Sequence, residues 1–166
     1  MEVKKIAVLG AGLMGHGIAQ VAAQVGKFEV SLRDIRQEFL DRGMNMIRDS
    51  LQRFRRKGLI SEGEVEETLS RIHPTLNLQE AVGDADLVIE AVPENLELKK
   101  GVFREVDQLA REGAILASNT SSLSITELAS ATKRPQNVCG MHFFNPPQLM
   151  KLVEVVRGAE TSDETI

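Results

Sequence analysis

The sequence has a single cysteine, no tryptophan, no tyrosine and no run of about 18 apolar residues. Each absence removes a class of function. Cys139 alone cannot form an intrachain disulfide, and it fits a reducing compartment, so a cytoplasmic protein is expected. Without a long apolar run there is no membrane-spanning helix to assign. The residues after Met1 lead into Lys4, Lys5 and a strand, with no signal-peptide character. Lacking Trp and Tyr, the chain has little with which to stack single-stranded nucleic acid. The net charge is -4, and the one dense basic cluster, Arg53, Arg55, Arg56 and Lys57, is too small to support nucleic-acid binding. The three histidines, His16, His73 and His142, lie far apart, and neither HExxH nor CxxC spacing occurs, so no metal site is expected.

What remains is ordinary globular composition, 42% hydrophobic and 27% charged over 166 residues, enough for one domain with a core. Lys5 to Leu9 is a short apolar run closed by glycines and reads as a buried strand. Helical spacing follows through Leu13, Ile18, Val21 and Ala22 and stops at Gly26. Phe28 to Leu32 is a second strand, ending at Arg33 and Asp34. The pattern is a β-α-β unit with parallel strands. Leu40, Met44, Ile47, Leu51 and Phe54 make one apolar helical stripe, closed by Lys57 and Gly58. Ser61 with Glu64 is a capping box for a helix that runs to about Ile72 and stops at Pro74. Asp86 to Val92 is the next strand. A helix over about Leu96 to Glu112 presents Leu98, Val102, Val106 and Leu109. Ala114 to Ala117 is again a strand, Ser124 and Glu127 form a second capping box, and Val138 to Phe143 and Lys151 to Val156 are the last strands. The alternation predicts a Rossmann-type α/β fold: a doubly wound, mostly parallel sheet with helices on both faces, over residues 1–157. The tail 158–166 shows no packing pattern.

Gly10, Gly12 and Gly15 form GxGxxG between the first strand and its helix. The first glycine permits the tight turn, the second lets backbone approach a pyrophosphate, and the third lets helix pack on strand. The helix N-terminus offers N–H groups to phosphate oxygens. Asp34 ends the second strand 19 residues after Gly15, where a carboxylate accepts ribose hydroxyls and repels a 2′-phosphate. NAD is therefore the expected cofactor, with Arg33 and Arg36 flanking Asp34. A lone Asp at a strand end is also commonly just solvated.

The chemistry is sought between Ser118 and Glu154. Ser118-Asn119-Thr120-Ser121-Ser122 follows a strand, at the carboxyl edge where ligands bind in this fold. His142 ends the next strand, and Glu154 sits inside an apolar run where a carboxylate needs a partner. A histidine suits the base that takes an alcohol's proton while a nicotinamide takes its hydride. A carboxylate behind the ring fixes its orientation. The residues alone leave open a structural histidine, an edge glutamate facing solvent, and a polar turn that is only a helix cap.

GAGLMGHGIAQ, DLVIEAVPEN, SNTSSLSI and GMHFFNPPQLMKLVEVV together resemble the NAD-binding domain of the L-3-hydroxyacyl-CoA dehydrogenases, including 3-hydroxybutyryl-CoA dehydrogenases, over residues 4 to 157. The resemblance implies NAD-dependent oxidation of (S)-3-hydroxyacyl-CoA to 3-oxoacyl-CoA, in fatty-acid β-oxidation or butyrate-type metabolism. It implies His142 as general base, Glu154 as its orienting partner and Ser121 as a contact to the substrate oxygen near the nicotinamide. It places the cofactor on Gly10, Ala11, Gly12, Leu13, Met14, Gly15, Asp34, Glu94, Lys99, Ser121 and Asn145. Ser50, Lys57 and Ser121 match positions that meet the CoA thioester substrate, although Lys57 is equally a cation complementing a helix end. Members of the family continue into a helical C-terminal domain that dimerises and closes over the acyl chain. No such domain is present in these residues, so the tail 158–166 is read as leading toward it, and the isolated chain is expected to bind NAD and to turn over weakly or not at all. Competing readings are a dehydrogenase of another 3-hydroxy acid on the same domain, and a non-catalytic dinucleotide-binding module.

Overall fold

A computed structural model describes residues 2–166; Met1, the first residue of the expected domain, lies outside the described residues. The five-residue run KIAVL forms β1 (Lys5–Leu9), with alternate side chains entering two different cores. Ile6 and Val8 pack with Ile18, Leu40, Ile47 and Leu51 on one face of the sheet. Ala7 and Leu9 pack with Val88, Phe103, Val106 and Leu128 on the other. Burying each large aliphatic side chain contributes about 1.5–3 kcal/mol, so both layers hold the sheet.

The elements follow as α1 (Leu13–Gln24), β2 (Glu29–Arg33), α2 (Gln37–Arg56), α3 (Glu62–Ser70), β3 (Ile72–Thr75), α4 (Leu78–Val82), β4 (Leu87–Glu90), α5 (Leu96–Leu109), β5 (Ile115–Ser118), α6 (Ile125–Ala129), β6 (Val138–Phe143) and β7 (Val153–Arg157). Strand order is β3-β2-β1-β4-β5-β6-β7. The first six strands run parallel, and β7 is antiparallel to β6. The chain winds outward in both directions from β1 and β4, so the topological switch point lies between them, where this fold binds ligands. The doubly wound, mostly parallel sheet is thus the one the sequence predicts. The Ser61–Glu64 capping box forms with both of its hydrogen bonds. Of the second box only half forms, the Ser124 side chain accepting from the Glu127 N–H.

The short helix α4, N-capped by Asn77, is not marked by the sequence pattern, and three further segments differ from expectation. Pro74 does not end a helix. It sits inside β3, an edge strand paired to β2, where a missing N–H on the open side costs no ladder bond. α5 is rotated by about one residue: Lys99, Phe103 and Val106 are buried, while Leu98 is 46% exposed. The inward pull on Lys99 comes from a buried carboxylate described below. The tail is docked. Thr161 is buried, its hydroxyl donates to the Val138 carbonyl at 2.6 Å, and the Gly158 N–H donates back to it at 2.8 Å.

Asp86 ties the N-terminal edge of the sheet together. It accepts the Lys4 and Lys5 N–H groups at 2.8 and 2.9 Å and the Arg111 guanidinium at 2.6 Å. Burial works to raise this carboxyl, but the two backbone donors and Arg111 outweigh it and hold it below its ordinary 3.8. The stabilisation is therefore complete above that ordinary value and fades as pH falls through the folded one. Asp86→Asn is expected to cost about 1–3 kcal/mol at pH 7. In urea unfolding, the gap to the parent should narrow in acid.

Candidate active site

The turn between β1 and α1 builds the first wall of the site. Gly10 has φ of 102°, open to glycine and costly for other residues, and donates its N–H to the Arg33 carbonyl at 2.8 Å. A Cβ on Gly15 would lie 1.7 Å from the Gly10 carbonyl oxygen, so only glycine lets the helix start this close to the strand. Gly12 is different: a Cβ there meets nothing within 4 Å. Its missing side chain leaves open space in front of the N-terminus of α1, whose first turn holds no acidic residue. That is the cradle a pyrophosphate needs. Asp34, just past β2, is not a solvated strand end. It accepts the Ala11 N–H at 2.8 Å and the Ile35 N–H at 2.7 Å, which fixes the carboxylate against the glycine turn.

These groups line a cleft of ≈ 610 Å³ that takes in Gly10 to Met14, Asp34, Glu94 and Lys99, together with Ile35, Phe39, Arg42 and Asn119. Its size and one-sided apolar walls suit a dinucleotide. Arg33 and Arg42 line it, and the Arg36 guanidinium lies 5.6 Å over the ring of Phe39, itself a lining residue.

Beyond the switch point the cleft wall is ionic. Lys99 is buried and reaches Glu90 at 2.7 Å, the Val92 carbonyl at 3.0 Å and Glu94 at 3.3 Å. Thr120 donates its hydroxyl to Glu94 and accepts the Leu123 N–H at 3.0 Å, so the polar turn after β5 is tied to this wall. The sequence offers Thr120 only as a member of the polar turn after β5, and it does not offer Glu90. A glutamate inside the apolar run DLVIEAV was the available signal for Glu90.

The third part lies on β5, β6 and β7. The register places His142 directly opposite Glu154. Their side chains meet, Nδ1 to Oε2, at 2.7 Å. A carboxylate only accepts, so Nδ1 carries the hydrogen, and in the neutral ring Nε2 presents its lone pair to a substrate. The His142 side chain is 18% exposed and Glu154 51% exposed, so the glutamate is not held by burial as the apolar run suggested. Phe144 packs against the imidazole with centroids 4.7 Å apart. The Asn119 side chain accepts the Phe143 N–H at 2.9 Å, linking the turn that carries Ser121 to the end of the strand that carries His142. Ser121 and Asn145 are exposed on the neighbouring turns after β5 and β6.

α2 completes the rim. Gly43 packs on Ala11 in the glycine turn, and two turns later Ser50 receives the Gln148 amide at 3.5 Å. Gly17 on α1 is the seat of the same loop, since a Cβ there would lie 2.6 Å from Gln148. Ser50 is only 1% exposed, and Lys57 is exposed at the C-cap of α2. Neither lines the cleft.

Residues 5–166 match the family model described as "3-hydroxyacyl-CoA dehydrogenase, NAD binding domain". The chain belongs to this family. It is 52% identical over 161 residues to a "Probable 3-hydroxybutyryl-CoA dehydrogenase" of Deinococcus radiodurans, covering 97% of this chain and 57% of that protein. It is 48% identical over 165 residues to the "Fatty acid oxidation complex subunit alpha" of Psychrobacter cryohalolentis, covering 99% of this chain and 23% of that one. The crystal structure of 3-hydroxybutyryl-CoA dehydrogenase from Escherichia coli K12 superposes with a TM-score of 0.95 at 42% identity, over 99% of this chain and 34% of that one. The chain thus spans little more than half, or less, of these relatives. Its cleft is an NAD-binding domain's, and no helix among the described residues is long and apolar enough to cross a membrane.

Proposed function

We propose that this chain is the cofactor-binding part of a dehydrogenase that oxidises (S)-3-hydroxyacyl-CoA to 3-oxoacyl-CoA with NAD. The observation that carries the reading is the 2.7 Å contact between His142 and Glu154 on adjoining strands, beside the turn that presents Ser121. The open face of Gly12, the fixed carboxylate of Asp34 and the cation of Lys99 fit the dinucleotide. When bound, NAD supplies the hydride acceptor. The chain's own residues handle the proton. His142 Nε2 takes the proton of the 3-hydroxyl as the C3 hydride leaves with its electron pair and the carbonyl forms. Glu154 holds the ring and balances the imidazolium charge that results. Ser121 donates a hydrogen bond to the same oxygen. Lys57, exposed at the C-cap of α2, is the residue for the CoA phosphates, and Ser50, buried in the same helix, acts on that moiety only through Gln148, whose amide it holds. The reverse reaction uses the same atoms, so the geometry serves either direction.

An apolar strip of Leu149, Met150 and Leu152, each 47–63% exposed, leads into β7 next to Glu154 of the pair. We place the further chain of the longer relatives over this strip, where it excludes water and positions the acyl group. This chain alone is therefore expected to bind NADH and to reduce acetoacetyl-CoA slowly, orders of magnitude below a full-length relative. Steady-state NADH consumption checks this. Turnover equal to a full-length relative contradicts the role given to the covering part, and no reduction even with the chain in large excess contradicts the assigned reaction.

A further inference from the structure

Glu90 and Lys99 are the least exposed charged side chains among the described residues, at 1% each. Glu90 ends β4 with Leu9 of β1 on one side and Ser118 of β5 on the other, so it stands at the switch point itself. Both of its oxygens are fully used. One accepts the Val92 N–H and the Lys99 ammonium, each at 2.7 Å, and the other accepts the Ser118 hydroxyl at 2.7 Å. Three donors thus surround this carboxylate in the interior. Lys99 then meets a second carboxylate, Glu94, at 3.3 Å. Two carboxylates against one ammonium leave one net negative charge. Lys99 and Glu94 both face the cleft.

The direction of the cofactor gives that charge a consequence. Asp34 fixes the adenosine end beside β2, and the glycine turn holds the pyrophosphate at the end of β1. The nicotinamide half therefore falls on the β4–β5 side, where Glu94, Lys99 and Asn119 line the wall. The oxidised ring carries a positive charge and the reduced ring none. A wall of net negative charge, backed by protein instead of water, attracts the first and is indifferent to the second.

We propose that Glu90 is a positioning residue that, through Lys99 and together with Glu94, sets the preference of the cleft for oxidised over reduced cofactor. Glu90 holds the ammonium at the wall and keeps the wall's sum at one negative charge. This rests on the cofactor placement given above. It goes further in assigning a redox-form selectivity to a residue that touches neither cofactor nor substrate.

The test is binding of both forms to the chain, NADH by its fluorescence and NAD+ by competition, read as the ratio of Kd for NADH to Kd for NAD+. Glu90→Gln brings the wall to zero charge and is expected to lower that ratio about threefold to tenfold. Glu90→Gln with Lys99→Met leaves Glu94 as the single charge, and the ratio is expected to return to within about twofold of the parent. Glu94→Gln also brings the wall to zero. Its side chain is 46% exposed against 2% for Glu90, so it carries the same test with less of the interior disturbed. A merely structural role for Glu90 weakens both forms equally and makes the double variant worse than the single. Unchanged ratios in Glu90→Gln and Glu94→Gln, with both forms still bound, overturn the proposal and leave the cofactor site standing. Failure of the parent to bind either form overturns both.

Discussion

His142→Gln is expected to slow hydride transfer between NADH and acetoacetyl-CoA by about a hundredfold to ten-thousandfold while leaving NADH affinity unchanged. Glu154 occupies Nδ1, which leaves Nε2 as the one position able to exchange a proton with the substrate oxygen. Glutamine keeps a polar group there but has no basic lone pair to exchange a proton at neutral pH. A single-turnover measurement with the chain in excess reads this chemical step even where steady-state turnover is slow. Glu154→Gln should cost less, about tenfold to a hundredfold, because the imidazole remains but loses the partner that orients it and balances its charge. The His142 substitution removes the base itself, so adding Glu154→Gln to it should change little further.

Gly12→Ala and Gly15→Ala should separate binding from folding. A methyl on Gly12 meets no protein atom, and its φ of -76° is open to any residue, so the domain should melt at the parent's temperature. The methyl does stand where the pyrophosphate must come against backbone. NAD affinity should therefore fall by about a hundredfold, read by titration. A methyl on Gly15 would lie 1.7 Å from the Gly10 carbonyl oxygen, so α1 has to move off β1. That substitution should cost about 3 kcal/mol of stability as well as the affinity. Equal stabilities for the two variants would mean that the turn is softer than its geometry indicates.

Sequence pattern reached the fold because both of its periods are strong here. Short apolar strands and the stripe Leu40, Met44, Ile47, Leu51 are dictated by burial on one layer or two. It failed where an edge changes the rules. Pro74 reads as a stop in a helix and is harmless in β3, whose outer side has no ladder to complete. The face of α5 was misjudged because Lys99 counts as polar in any pattern, yet it is buried by an ion pair that no periodicity shows. The glutamates make the same point in reverse. An apolar run marked Glu154 as a buried carboxylate in need of a partner. It has the partner and is half exposed, since β7 is an edge strand. Glu90, inside the apolar run DLVIEAV, is buried at the centre of the sheet and is the carboxylate that needs its partners. His142 and Glu154 were within reach of sequence reasoning because neighbouring strands joined by a short loop must pair. Their direct opposition depends on register, which only the structure supplies.

The most direct test of the central claim is a crystal structure of this chain with NAD+ bound. The account predicts adenosine at Asp34, pyrophosphate over Gly12, and the nicotinamide C4 turned toward His142 Nε2 with room for one hydroxyl-bearing carbon between them, roughly 5–6 Å. A nicotinamide ring bound on the far side of the sheet edge from His142, or a Glu154 side chain turned away from the imidazole into solvent, contradicts it.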